Sequence, residues 1–461
     1  MTLNALTTFW QRFALRAACM IALLSLSLAV MAQEAQQITF DEAVRIALDQ
    51  NYQLRQRINS VRLQEIGVRT SRAAFLPSLS SFSSAGRSFG LSFDQNVGEL
   101  RTTTNDRFSI GASSSITLFN GLADFARLKQ SQLAVTAGDF DLERQRQWVV
   151  FTVAGQFLSY IEQREQIAVQ QENLAAQQQL LRQIEEFVRV GTRPVSDLYM
   201  QRAQVASAEL SILEVERQSQ VAEASLIATL QLDPFGLYEF VVPDVEDIPL
   251  VPESFNIDEL LRHALDRRMD LRAQETLIAV NEQGIREARG SRLPSVSMSL
   301  SAATSFNSGL TRIPGNDFNE QLKNNRSESI GLQISLPLFR RLLTRSTIQR
   351  AQIDYDNARL GYENLRQSIG LEVRQAYLEY LTSEKQLQVT DEQLAWREQA
   401  LEAARERYNV GAGTLVELTQ AQSDFVNASR QSVRARYTFF VRKRLIDYYT
   451  GVLDPSQPLF E

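Results

Sequence analysis

The chain has 461 residues, of which 44% are hydrophobic, 22% charged and 8% aromatic, which is the composition of an ordinary folded protein. One Cys and one His nearly exclude a Cys/His metal site, a disulfide framework and His-dependent catalysis, and the net charge of -6 gives no sign of nucleic-acid binding. We therefore expect no enzymatic activity, no cofactor and no metal.

The first 32 residues have the pattern of a secretory signal peptide. Arg12 and Arg16 precede an apolar run over 17–30, which is shorter than the roughly 20 residues that a membrane-spanning helix needs. We interpret 1–32 as an export signal, with an uncleaved anchor as the alternative. Removal of Cys19 with the signal would leave a chain without thiols, which suits the oxidising periplasm.

The rest of the chain is an internal duplication. Residues 38–55 resemble 255–272 at an offset of 217, and beyond a loop the matches continue at an offset of 220. Matches at two constant offsets indicate a repeat architecture rather than a bias of composition. The sequence predicts repeat one over 38–232, a linker over 233–256, repeat two over 257–452 and a tail over 453–461.

Both repeats have the same predicted order of elements. A helix over about 41–76 or 258–293 comes first, and each is ended by the Pro that follows. Two strands joined by a polar loop are then expected, at about 78–86 and 108–118 in repeat one and at about 295–306 and 329–338 in repeat two. A long helix over about 122–189 or 342–409, a glycine-containing turn and a last helix over about 195–231 or 415–450 complete each repeat.

The predicted strands alternate as strands of a membrane β-barrel do. Val296, Met298 and Leu300 are separated by serines, whereas the strand after Pro77 is weaker, with Leu79, Phe82 and Ala85 as its apolar residues. Four strands cannot close a barrel, and open edges are not tolerated in lipid, so several chains must share one. Two chains would give eight strands and three would give twelve. A soluble amphipathic hairpin is the alternative.

The two predicted long helices exceed the size of a globular domain. About 68 residues at ~1.5 Å each make a helix of roughly 100 Å, which needs partners along its length. The shorter helices are near half that length, so two of them stacked end to end would match one long helix. A solid coiled-coil rod is the alternative, but a rod has no use for barrel strands between its helices.

The whole pattern resembles the TolC family of outer-membrane efflux proteins over about 38–452. The repeated turns are the most specific part, with Gly191 followed by Asp197 and Gly411 followed by Glu417. The resemblance implies a homotrimer with a 12-stranded outer-membrane β-barrel continuous with a long periplasmic α-helical barrel. It would be a passive exit duct of a tripartite efflux pump or a type I secretion system. A periplasmic coiled-coil adaptor or scaffold is the alternative function.

The resemblance also implies partners and site residues. The partners would be a periplasmic adaptor (membrane fusion) protein, an inner-membrane pump of RND, ABC or MFS type, and outer-membrane lipid. The adaptor would dock on two turns formed by Val190, Gly191, Thr192, Val410, Gly411 and Ala412. The periplasmic gate would involve Tyr408, Glu417, Gln420, Arg193 and Asp197.

Two positions of this gate depart from the family pattern. An acidic ring would fall on Glu417, but the second acidic position is Gln420. The basic partner of Tyr408 falls on Gly413, which has no side chain, so the latch must differ or use Arg193 of the other turn. The alternative for Glu417 is a carboxylate that favours a helix N-terminus.

Overall fold

The structure, a computed structural model, describes residues 36–94, 98–241, 252–311 and 315–453. The expected signal peptide and residues 454–461 of the expected tail lie outside this range, as do residues 242–251 of the expected linker. The first half contains β1 (Gln36–Ile38), α1 (Phe40–Gln50), α2 (Tyr52–Ala73), β2 (Ser78–Asp94), β3 (Glu99–Asn120), α3 (Ala123–Arg189) and α4 (Val195–Leu230). The second contains β4 (Tyr238–Phe240), α5 (Ile257–Arg267), α6 (Met269–Gly290), β5 (Ser295–Asn307), α7 (Phe318–Asn324), β6 (Ser327–Ser335), α8 (Leu343–Asn409) and α9 (Leu415–Thr450).

The first helix of each repeat is broken, and the prediction of one continuous helix there was wrong. In repeat one the break is at Asn51, whose side chain accepts hydrogen bonds from the backbone N–H groups of Gln53 and Leu54 at 3.0 and 3.2 Å. This is an N-cap, and it starts α2 in a new direction because the cap residue has a non-helical backbone. The counterpart of Asn51 at offset 217 is Arg268, which makes no capping bond.

Arg268 is instead a buried arginine at the centre of an ion cluster at the repeat junction. Its side chain is 3% exposed and forms ion pairs with Asp270 at 2.6 Å and Glu372 at 2.5 Å. Beside it, the Arg144 guanidinium lies 3.9 Å from the centroid of the Tyr448 ring. The cluster joins α3 of repeat one to α6, α8 and α9 of repeat two.

The strands form one antiparallel sheet in the order β2-β3-β5-β6. Strands β2 and β3 are longer than predicted, because 87–94 and 99–107, expected as loop, pair with each other. The 307–327 loop contains the short helix α7, and β6 ends at Ser335 rather than near 338. Strands β2 and β6 each have one neighbour in this sheet, so both outer edges of the sheet are open.

Helices α3 and α8 contain 67 residues each and extend about 100 Å from the sheet. At mid-length, β1 and β4 pair in parallel, and their residues Ile38 and Phe240 are buried in one core with Phe157 of α3. A matching cluster around Ile369, Tyr380 and Phe439 packs repeat two. Within the described residues, no helix is both long and apolar enough to cross a membrane.

Candidate functional site at the helical tip

The two glycine-containing turns lie at the ends of α3 and α8 that are far from the sheet. Gly191 and Gly411 have φ of 79° and 78°, a left-handed conformation that closes a helix C-terminus. The N–H of Thr192 donates to the Phe187 carbonyl at 2.9 Å, and the N–H of Ala412 donates to the Arg407 carbonyl at 2.8 Å. Both turns are therefore Schellman-type caps.

The surfaces of these turns are open. Val190 and Val410 are exposed, and a Cβ added to either Gly191 or Gly411 would meet nothing within 4 Å. The tight turn therefore needs glycine for its backbone conformation and not for lack of space.

Arg193 of the first turn clasps Tyr408 at the end of α8. Its Nη2 donates to the Tyr408 carbonyl at 2.9 Å, and its guanidinium lies 4.3 Å from the centroid of the Tyr408 ring. The first contact adds a second donor to a carbonyl that already accepts from the Gly411 N–H at 3.1 Å, and the second is a cation–π interaction. A side chain at Gly413 would press on Arg407, with a Cβ only 3.2 Å from the Arg407 Cβ.

The Tyr408 phenol is buried without a hydrogen-bond partner. The residue is 0% exposed, and its hydroxyl has no hydrogen-bond partner in the described structure. Burial raises the pKa of the Tyr408 phenol, Arg193 lowers it and the negative charge of Asp197 raises it. The structure therefore brings Arg193, Asp197 and Tyr408 together, although they come from two repeats.

Glu417 lies in the first turn of α9 and is paired with a residue that sequence reasoning missed. Its backbone N–H donates to the Thr414 hydroxyl at 3.2 Å, and its carboxylate accepts from Arg407 Nη2 at 2.8 Å. Both side chains of the Arg407–Glu417 pair are more than half exposed, so the pair contributes little stability.

Gln420 is tied to a second acidic residue one turn further along α9. Its Nε2 donates to Asp424 Oδ1 at 2.9 Å, and Arg397 of α8 donates to Asp424 Oδ2 at 2.8 Å. Asp424 also escaped the sequence analysis. Its spacing of seven from Glu417, which places both on one helix face, was the signal that could have found it.

At the other end of the molecule, the sheet has one polar and one apolar face. Hydroxyl pairs link the strands on the polar face, such as Ser80 with Ser113 at 2.9 Å and Ser84 with Ser109 at 2.7 Å. Phe82, one of the three apolar residues noted for this strand, lies on the polar face. It pairs with Gly111, midway between the pairs Ser80–Ser113 and Ser84–Ser109, and alternate residues of a strand share a face. Its ring covers Gly111, where a Cβ would come within 2.9 Å of it.

No group of three or more His, Cys, Asp or Glu that could hold a metal ion occurs among the described residues. The site therefore consists of turns, helix ends and charged pairs.

Comparison with known proteins gives the family. The sequence model of the family described as "Outer membrane efflux protein" matches residues 43–230 and 260–440. The chain is 21% identical to outer membrane protein TolC of Escherichia coli (strain K12), over 80% of this chain and 75% of that protein. It is 20% identical to the outer membrane efflux protein BepC of Brucella suis biovar 1, over 91% and 88%. A match to TolC of Salmonella enteritidis, 25% identical, spans 44% of this chain and 41% of that protein.

Solved structures show the same fold. The channel CusC superposes with a TM-score of 0.77 at 19% identity, covering 89% of this chain and 92% of that one. The outer membrane protein VceC of Vibrio cholerae superposes with a TM-score of 0.75 at 17% identity, covering 89% and 96%.

The chain belongs to the outer membrane efflux protein family, since the family model covers most of its length. It is a passive exit duct of the outer membrane that extends into the periplasm, and it is not an enzyme. The predicted family, function and location are thereby confirmed, and the adaptor alternative is set aside.

Proposed function

We propose that three copies of this chain form a 12-stranded β-barrel continuous with a periplasmic α-helical barrel. The supporting observation is a stripe of apolar residues along α8 that has no partner within the described chain. Its members are 49–68% exposed and recur every 7 and 11 residues, which returns to the same helix face: Ile353, Leu360, Leu371, Leu378, Val389 and Trp396.

The counterparts of this stripe in α3 show what would cover it. At offset 220 they are all buried or half-buried: Leu133, Phe140, Phe151, Leu158, Val169 and Ala176. Repeat two helps to cover them. Phe151, for example, stacks on Tyr448 of α9 with ring centroids 4.3 Å apart. A second copy that packs on α8 as repeat two packs on α3 would cover the exposed stripe. Repeat one of that copy has exposed apolar residues for this contact: Leu63, Ile66, Leu210 and Leu213.

The same reasoning gives a register for the open sheet edges. Ser109 of β3 pairs with Ser305 of β5, and their counterparts at offsets 220 and 217 are Ser329 of β6 and Ser88 of β2. We therefore infer that Ser329 of one copy faces Ser88 of the next. Repetition of this pairing closes a barrel, which removes both open edges.

The tip turns would form the periplasmic end of the duct. We infer that an adaptor protein docks on the open surfaces around Gly191 and Gly411, and that the clasp between Arg193 and Tyr408 holds the closed gate. Glu417 and Gln420 would line the constriction beside Asp197, with Arg407 offsetting the charge of Glu417. An inner-membrane pump would supply the energy.

Cysteine cross-linking tests the assembly, because the single Cys19 lies in the expected signal. The double variant S329C/S88C should form disulfide-linked oligomers up to a covalent trimer on oxidation in membranes, as seen on non-reducing gels. The control S329C/S84C moves one thiol four residues along the same strand face and should cross-link poorly. Equal cross-linking of both variants, or none by the first, would contradict the proposed register.

A further inference from the structure

The junction between sheet and long helix has different chemistry in the two repeats. In repeat one, Phe75 follows α2 and Phe125 lies in the first turn of α3, with ring centroids 4.9 Å apart. Their counterparts at offsets 217 and 220 are Arg292 and Arg345, which are both exposed. Two positive charges therefore occupy the places of an aromatic pair.

These two arginines have no salt bridge to any carboxylate in the described part of the chain. The charged residues of repeat one at this level are paired differently. Arg127 of α3 lies 3.2 Å from Asp124 and 2.7 Å from Glu287. The counterparts of Asp124 and Arg127 in α8 are both threonines, at 344 and 347. In repeat one, Asp124 pairs with a neighbouring arginine at this junction. In repeat two its place is taken by a threonine, so α8 has no carboxylate there to offset the two arginines.

Exposed apolar side chains precede Arg345 along the chain. Leu338 is 90% and Phe339 81% exposed, and Leu342 is exposed as well. Along the chain they follow directly on the apolar face of β6. Phe125, the counterpart of Arg345, is 62% exposed although repeat two packs on repeat one, so a copy packed in the same way leaves Arg345 uncovered.

We propose that Arg292 and Arg345 bind the phosphodiester group of an anionic phospholipid in the periplasmic leaflet of the outer membrane. Arginine matches phosphate in charge and in bidentate geometry, and basic residues at a membrane border attract anionic headgroups. Leu338, Phe339 and Leu342 provide the apolar surface for the acyl chains. The inference rests on the proposed trimeric barrel, because the barrel places these residues at the surface of that leaflet.

The test is lipid binding by delipidated protein in a nonionic detergent, measured by native mass spectrometry with dioleoylphosphatidylglycerol and dioleoylphosphatidylethanolamine. The wild type should bind the anionic lipid about tenfold more tightly than the zwitterionic one. The variant R292F/R345F, which carries the residues of repeat one, should lose this preference. The control R217Q/R262Q removes two exposed arginines elsewhere and should keep it.

Three outcomes would overturn the proposal: equal binding of the anionic lipid by R292F/R345F and wild type, no preference in the wild type, or full competition by inorganic phosphate at the lipid's own concentration. Conductance in phosphatidylcholine bilayers and resistance of the trimer to detergent distinguish failure of the lipid proposal from failure of the proposed trimeric duct. If both are normal and the lipid preference is absent, only this inference fails. If both are lost in the wild type, the proposed duct fails.

Discussion

Tyr408 is held by its ring and its carbonyl, while its hydroxyl is left without a hydrogen bond. The guanidinium of Arg193 contacts the ring and the carbonyl, so the clasp between the two turns does not use the phenol oxygen. A buried hydroxyl without a partner costs free energy, because its hydrogen bonds to water are lost and not replaced. The clasp and the hydroxyl can therefore be separated by mutation.

The variant Y408F should keep the clasp and stabilise the tip by up to about 1 kcal/mol. Hydrogen exchange of the amides around the second turn measures this, and single-channel conductance should not change. Burial raises the pKa of Tyr408, so the folded tip tolerates the neutral phenol better than the ionised one. The stability of the tip is therefore unaffected by this group below pH ~10 and falls as the pH rises from there through the folded pKa. This loss should be absent in Y408F.

R193A serves as the matched comparison, because it removes both contacts of the clasp and should loosen the tip. If Y408F accelerates exchange as much as R193A does, the hydroxyl has a partner in the assembled protein and the separation described above is wrong.

The turns that connect strand to long helix show how one element is built in two ways. Gly121 has a φ of 70°, and a Cβ there would overlap the backbone carbonyl of Gly290. Its counterpart Arg341 has a φ of 48°, a strained conformation for a residue with a side chain. The counterpart of Gly290 is Ala73, so the glycine-to-glycine approach occurs only where the two repeats of one chain meet.

Opposite effects are expected from exchanging these residues. G121A should lower the free energy of unfolding by about 2 kcal/mol or more, because neither the backbone conformation nor the available space suits a residue with a Cβ. R341G should be neutral or stabilising by up to about 1 kcal/mol. Thermal unfolding in detergent, followed by circular dichroism, compares the two. A larger loss for R341G than for G121A would mean that Arg341 makes a contact outside the single chain.

At the scale of the whole molecule, the apolar stripe along α8 is exposed in the single chain. An exposed apolar surface of this kind marks an interface with another protein. Substitutions on the stripe should therefore prevent assembly without unfolding the chain. L371E/L378E is expected to abolish detergent-resistant trimers, measured by gel electrophoresis and light scattering, with an unchanged helical circular dichroism signal. The control Q388E/A395E adds the same charge to exposed positions of α8 outside the stripe. Trimers of L371E/L378E as stable as those of the control would place the seam elsewhere.

Local patterns in the sequence were sufficient for the strand alternation, the long helices and the two glycine turns, and comparison of the two halves gave the duplication. A period of two residues, a helix without proline and a glycine at a helix end are read from neighbouring residues, because the physics that produces them is local. The same approach missed the break at Asn51 and its counterpart Arg268. It also left the face of Phe82 unassigned, because a serine-rich strand offers few apolar residues to set its register.

Only the tertiary structure decided which distant residues meet. Arg193 and Tyr408 are 215 positions apart, and their contact depends on how the two turns pack at the tip. The pairing of Glu417 with Arg407 and the ion cluster around the buried Arg268 are likewise products of helix packing. The duplicated sequence determined that the chain consists of two repeats with the same order of elements. The fold decided which copies of each surface are covered within one chain and which are left open, because a repeat at the end of a chain has a neighbour on one side only.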